Sequence, residues 1–217
     1  MHEDAQEIFD HLPIRRNIPE DEYIDHLWGA VSVLAQSDTT ARSFALMPFH
    51  LLFMLALQYK ILRIAKEFNS ECNLVFVTTS GRNKSQLINP QKSVFDLALL
   101  NEKTIPELFS LINLDGVTIE LIKDLVDYRN DSLAHAKGGI EDDPEGKIRL
   151  YLSILKRIQD FMLKLNDEVA TKWLIEMRSG QEGVDYIELH LAEEYLCPSD
   201  MQQGKLSQLE KRLNSEL

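Results

Sequence analysis

Apolar positions recur at helical spacing along most of the chain. After Pro19 and an acidic turn, Ile24, Leu27, Val31 and Leu34 step by three or four residues, which predicts a helix ending near Gln36. Ser37-Asp38-Thr39-Thr40 supplies N-cap residue types, and the stretch from there to about Phe68 is apolar nearly all round before it turns amphipathic. A helix without a polar face belongs at the centre of a core. Its most apolar part, Phe44 to Leu57, is interrupted by Pro48 and His50 and is shorter than the roughly 20 residues that cross a bilayer. It therefore reads as a buried core helix, with no membrane contact expected.

Between Cys72 and Asn89 the pattern changes. Leu74-Val75-Phe76-Val77-Thr78-Thr79 is β-branched and aromatic, and Ser80-Gly81-Arg82-Asn83-Lys84-Ser85 is turn-like and basic. This predicts an irregular or β-hairpin insertion near 72–90. Thr104-Ile105-Pro106-Glu107 has the form of a capping box and opens a short helix to about Ile112. Asp115-Gly116 then restarts the chain.

From Val117 to Ala136 the positions Ile119, Ile122, Val126, Arg129, Leu133 and Ala136 form one continuous helical stripe, stopped by Gly138-Gly139. Asp143-Pro144 is an N-cap and first-turn pair for a last long helix. That helix runs through Ile148, Leu152, Leu155, Ile158, Met162, Leu165, Val169, Trp173 and Met177 to Ser179-Gly180. The pattern thus predicts an all-α helical domain over 1–180, containing the 72–90 insertion. A C-terminal extension follows over 181–217, a candidate dimerisation arm with a small helix at Leu206, Leu209 and Leu213. No internal repeat is present.

Composition adds limits. Hydrophobic residues at 44% and charged ones at 27% are those of a globular chain, which excludes a disordered or fibrous one. Cys72 and Cys197 fit neither a metal-ligand spacing nor a disulfide framework, and the N-terminus is acidic where a secretory leader is basic. A cytoplasmic location is expected. The net charge of −12 argues against non-specific nucleic-acid binding, which depends on counterion release by Lys and Arg, so any RNA contact must be local.

The informative residue is Arg129, because it lies on the apolar stripe of its helix, where an unpaired guanidinium is costly to desolvate. Two readings are open. Arg129 caps the core and pairs with Asp127, Asp131 or an acid on another helix, or it is held for an anionic ligand such as phosphate. His135 follows six residues on, about 240° round an ideal helix, so the two side chains would flank a groove rather than stack. With 10 Arg and 6 His in the chain, that spacing arises roughly once by chance and alone carries little.

The local string Tyr128-Arg129-Asn130-Asp131-Ser132-Leu133-Ala134-His135-Ala136-Lys137-Gly138 carries more. It resembles the signature of the HEPN family, in which an Arg, a polar residue and a His after four to six positions mark the active site. The resemblance spans about residues 20 to 178, with only 129 to 135 specific. It implies an up-and-down helical bundle and a homodimer whose two motifs face each other across a cleft and cut RNA without a metal. In that reading Arg129 stabilises the phosphate, His135 is the general acid and base at the 2′-hydroxyl, and Asn130 orients the His or the phosphate. The expected biology is a toxin or antiviral defence effector with an antitoxin or other partner protein, and no cofactor. Some family toxins carry a modified Tyr two residues beyond the His; here that position is Lys137. The alternative is a catalytically silent HEPN-like interaction or nucleotide-binding module.

Other candidates are weaker. Arg82, Lys84 and Lys137 are auxiliary RNA contacts at most, since Gly81-Arg82-Asn83-Lys84 lacks the pattern of a phosphate loop. His50 reads as a hydrogen-bonded core histidine. Asp21, Glu22, Asp25 and His26 read as an acidic first turn and a solvated face, so no metal is proposed.

Overall fold

A computed structural model describes residues 1–14, 19–37, 39–80, 88, 93–99, 101–133, 141–179, 191–201 and 211. Among them the regular structure is entirely helical: α1 (His2–Gln6), α2 (Pro19–Ala35), α3 (Thr39–Arg42), α4 (Leu46–Glu67), α5 (Asn69–Ser80), α6 (Gly116–Tyr128) and α7 (Pro144–Ser179), with short 3-10 segments between them. α4 is the axis. Its residues from Leu52 to Ala65 are all buried, because α2, α5 and α7 pack round it and leave no face for water. Ile24 and Val31 of α2, Phe49 and Phe53 of α4, Ile122 and Val126 of α6, and Tyr151, Leu155 and Ile158 of α7 meet in one core.

On the predicted α2 stripe Ile24 and Val31 are buried, and Leu27 and Leu34 partly so. On α7, Ile148, Leu152, Leu155, Ile158 and Met162 enter the main core. Further along, Val169 and Trp173 close a smaller cluster with Leu191, Leu196, Met201 and Ile14. The described part of the C-terminal extension, 191–201, therefore folds back on the body, and the Ile14 N–H donates to the Leu196 carbonyl at 2.8 Å. The Leu206–Leu213 helix lies outside the described residues, apart from Lys211, which is helical.

The helix starts predicted at Asp115 and Asp143 hold. Asp115 accepts from the Thr118 N–H at 2.9 Å and from its hydroxyl at 2.8 Å, and Asp143 accepts from the Gly146 N–H at 2.8 Å.

Three expectations need correction. Leu74 to Thr79, read as part of an irregular or β-hairpin insertion, is helix within α5, where Cys72 and Phe76, one turn apart, are buried in the core. Burial at helical spacing outweighs the β-propensity of those residue types. The rest of the insertion is outside the described residues except for Ile88. The capping box does not form: the Thr104 hydroxyl donates to the Asn101 carbonyl at 2.7 Å and Glu107 is drawn to Lys123. The stripe from 117 to 136 is not one α-helix, because it changes to π-helical turns at Arg129–Leu133. The stretch Ser43–Glu67 is long and apolar enough to span a membrane by length and composition, but 83% of its most apolar window is buried inside the bundle, as expected of a core helix.

Candidate functional site

The site is built where α6 gives way to the π-helical segment. The Arg129 N–H reaches back to the carbonyls of Leu125 and Val126, and the five residues Arg129–Leu133 continue at the wider pitch. A π segment inserts an extra residue into a helix, is rare, and occurs often at functional sites. Here it covers the Arg end of the motif. Asn130 sits half-buried on the same turns.

Arg129 joins the end of α6 to the segment that carries Glu102. Its guanidinium is ion-paired through Nη2 with Glu102, in the 3-10 segment Glu102–Thr104. The side chain is only 20% exposed, and its Nε is buried with no hydrogen-bond partner among the described residues. An acid on another element thus compensates the buried charge, one of the two readings left open by the sequence.

His50 of α4 faces the same region. It is fully buried, its Nδ1 lies 2.9 Å from the Tyr151 hydroxyl of α7, and its Nε2 has no partner among the described residues. Burial, with the positive charge of Arg129 adding to it, pushes the imidazole down to about 3, so His50 stays neutral across the physiological range. Burial first, then the neighbouring Tyr128, drives the Tyr151 phenol above the ordinary range, with Arg129 opposing. Near pH 7 these two groups can hold or orient a hydrogen bond but cannot shuttle a proton.

Tyr128, next to Arg129, is tied to Glu141. Its hydroxyl donates to Glu141 Oε2 at 2.6 Å, and Lys147 Nζ lies 4.1 Å from its ring centroid. The Tyr128 phenol is raised by burial and by the Glu141 carboxylate that accepts its proton. Burial works to raise Glu141, but bonds from Tyr128 and the Asp143 N–H, with Lys147 nearby, hold it below the usual carboxylate range. The Glu141 carbonyl accepts from Ser43 at 2.8 Å. The segment carrying His135 and Lys137 leaves the described residues after Leu133 and returns at Glu141.

Of the sequence candidates, the structure therefore places Arg129 and Asn130 together, while His135, Lys137, Arg82 and Lys84 lie outside the described residues. Glu22, Asp25 and His26 are exposed on α2. Among the described residues no three His, Cys, Asp or Glu side chains converge as a metal site would require. Glu102, Tyr151 and the Tyr128–Glu141 pair were not read as site residues. His50 was read only as a core histidine; its position inside an apolar run was the one local signal, and its neighbours come from α6 and α7. No protein-family model, no curated protein and no solved structure matches the chain.

Proposed function

We propose that the protein is a metal-independent endoribonuclease of the HEPN type, acting in the cytoplasm as a toxin or defence effector and as a homodimer that pairs two copies of the motif. The observation that supports this most is Arg129. A mostly buried guanidinium, with one nitrogen unpartnered, is carried on a π-helical turn beside two uncharged hydrogen-bonding groups, His50 and Tyr151. Such a cation is suited to charge developing on a phosphate in a site of low polarity.

In this reading His135 removes the proton of the 2′-hydroxyl as its oxygen attacks phosphorus. The P–O5′ bond breaks, and the leaving oxygen takes a proton from the second motif of the dimer. The products are a 2′,3′-cyclic phosphate and a 5′-hydroxyl. The resemblance gives the proton-carrying role to His135, while burial keeps His50 neutral and suited only to hold a hydrogen bond.

The test is incubation of RNA with the pure protein in chelator, comparing wild type with His135→Ala and Arg129→Ala. Cleavage by wild type only, with cyclic-phosphate ends, supports the reading. Equal cleavage by all three, or a strict need for Mg²⁺, sinks it.

A second reading, a catalytically silent interaction module, is favoured by one observation: Glu102 already neutralises Arg129. In that case RNA stays intact, and Arg129 acts only to join α6 to the Glu102 segment.

A further inference from the structure

Two buried nitrogens lie where α4 meets the end of α6. α4 packs against the π-helical segment that Arg129 opens, and the charge of Arg129 is felt at His50. His50 Nε2 and Arg129 Nε are both buried, and neither has a hydrogen-bond partner among the described residues. The carboxylates close by are engaged elsewhere: Glu102 holds Nη2 of the guanidinium, and Glu141 takes the Tyr128 hydroxyl. Buried polar atoms left unmatched are rare, so two on neighbouring side chains ask for one explanation.

The Tyr151 hydroxyl decides how the imidazole is protonated. It lies 2.9 Å from His50 Nδ1, its one hydrogen-bond partner among the described residues. Phe49 and Phe53 pack edge-on against the Tyr151 ring, with centroids 5.7 and 4.8 Å away, and hold the phenol in that place. Burial keeps the phenol protonated. Were Nδ1–H to donate to the phenol oxygen, the phenol O–H, the Nε2 lone pair and the Arg129 Nε–H would all be buried unmatched. With the phenol donating to Nδ1, only His50 Nε2–H and Arg129 Nε–H remain, and both are donors. One oxygen between them, with a lone pair toward each, matches the two at once. Water is the usual occupant of a small buried polar site of this kind.

We propose that His50 and Tyr151 are positioning residues for Arg129. Tyr151 donates to Nδ1 and so fixes the imidazole as its Nε2–H tautomer, and one buried water accepts from His50 Nε2–H and from Arg129 Nε–H together. Glu102 then holds the Nη2 edge of the guanidinium while the relay Tyr151–His50–water holds Nε, which sets the plane of the cation. That this orientation serves a reaction rests on the reading of Arg129 as the cation of an endoribonuclease; the relay itself does not.

The experiment is nitrogen NMR of the isotope-labelled full chain. The His50 signals are identified by their loss in His50→Gln and the Arg129 Nε–H by its loss in Arg129→Lys. Long-range hydrogen–nitrogen correlations tell the tautomers apart: His50 should carry its proton on Nε2, with Nδ1 bare, unchanged between about pH 5 and 8. Both N–H protons should show cross-relaxation with a long-lived water. Tyr151→Phe should shift part of the His50 population to the Nδ1–H form, and His50→Ala should speed solvent exchange of the Arg129 Nε–H about tenfold. His50→Gln, whose amide can accept from Tyr151 and donate to the water, should restore most of that protection. Circular dichroism checks each fold, and Tyr151→Phe carries the exchange comparison if His50→Ala does not fold. A bare Nε2 in the wild type overturns the proposal. So does the lack of a long-lived water at both protons, or Arg129 exchange that neither variant changes.

The two readings fail separately. The stated tautomer and water, with no RNA cut by the wild type, remove the nuclease and keep the relay; RNA cleavage with the opposite tautomer does the reverse. Where the wild type cleaves, His50→Ala should lower kcat about ten- to a hundredfold with KM nearly unchanged, and His50→Gln should recover most of it. Cleavage untouched by His50→Ala removes the positioning role.

Discussion

Arg129 and Glu102 are 27 positions apart in the chain and form one ion pair at the point where α6 turns π-helical. Both side chains are mostly buried, so loss of either leaves a charge short of its partner. We expect Arg129→Ala and Glu102→Gln each to lower stability by about 1–3 kcal/mol in urea unfolding. The double mutant should recover part of the loss, giving a coupling of about 1–2 kcal/mol. Strictly additive effects would show that the pair contributes nothing to the fold.

His50 predicts a pH dependence of stability. In the unfolded chain its imidazole titrates near 6.5, whereas in the folded protein it is pushed down to about 3. Between these values the unfolded state binds the extra proton, so stability is full above about pH 6.5 and declines as the pH falls towards 3. The slope from this one group is at most about 1.4 kcal/mol per pH unit. His50→Gln, which keeps a hydrogen-bonding partner for Tyr151, should flatten the curve in that window when compared with wild type by thermal melts. Parallel curves would place the imidazole in a more polar site than the one described.

The most extensive buried polar network lies away from Arg129. Asp200 accepts from the Gln159 and Asn166 amides and from the Cys197 N–H, and Lys60 donates to Gln159 at 2.6 Å. Arg63 joins through Asn166 at 3.1 Å. This network ties residues 197–200 to α4 and α7. Asp200→Ala should cost about 3–5 kcal/mol by leaving several buried donors unmet, and Asp200→Asn less, measured as the shift in urea midpoint. A change below about 0.5 kcal/mol would mean that the segment is not docked as described.

Thiol reactivity checks the core from another side. Cys72 is pushed up to about 12 by burial and by Glu71. Cys197 is pushed up to about 11, chiefly by burial, with Lys60 acting against it and Asp200 with it. Neither forms thiolate near pH 8, and both side chains are inaccessible. A thiol reagent should find almost no reactive cysteine in the native protein and two per chain in denaturant. Rapid labelling of native protein at either position would contradict the packing of α5 or of residues 197–200.

Local periodicity determined much of the architecture. α2 and α7 lie within one or two residues of where spacing and capping put them, and α4 ends where expected but starts only at Leu46, after the short α3 and a 3-10 segment, because an apolar stripe at a 3.6 period has one way to bury itself and Asp115 and Asp143 need only their own next turn. The sequence also singled out Arg129, since a cation on an apolar stripe demands compensation. Tertiary structure decided the rest. Leu74–Thr79 is helix because core burial of Cys72 and Phe76 outweighs its β-propensity. Glu102 was one acid among 35 acidic residues until the fold brought it to Arg129. The neutral state of His50 and the phenol that faces it likewise arise from groups far apart in the chain, whose desolvation and pairing no local pattern encodes.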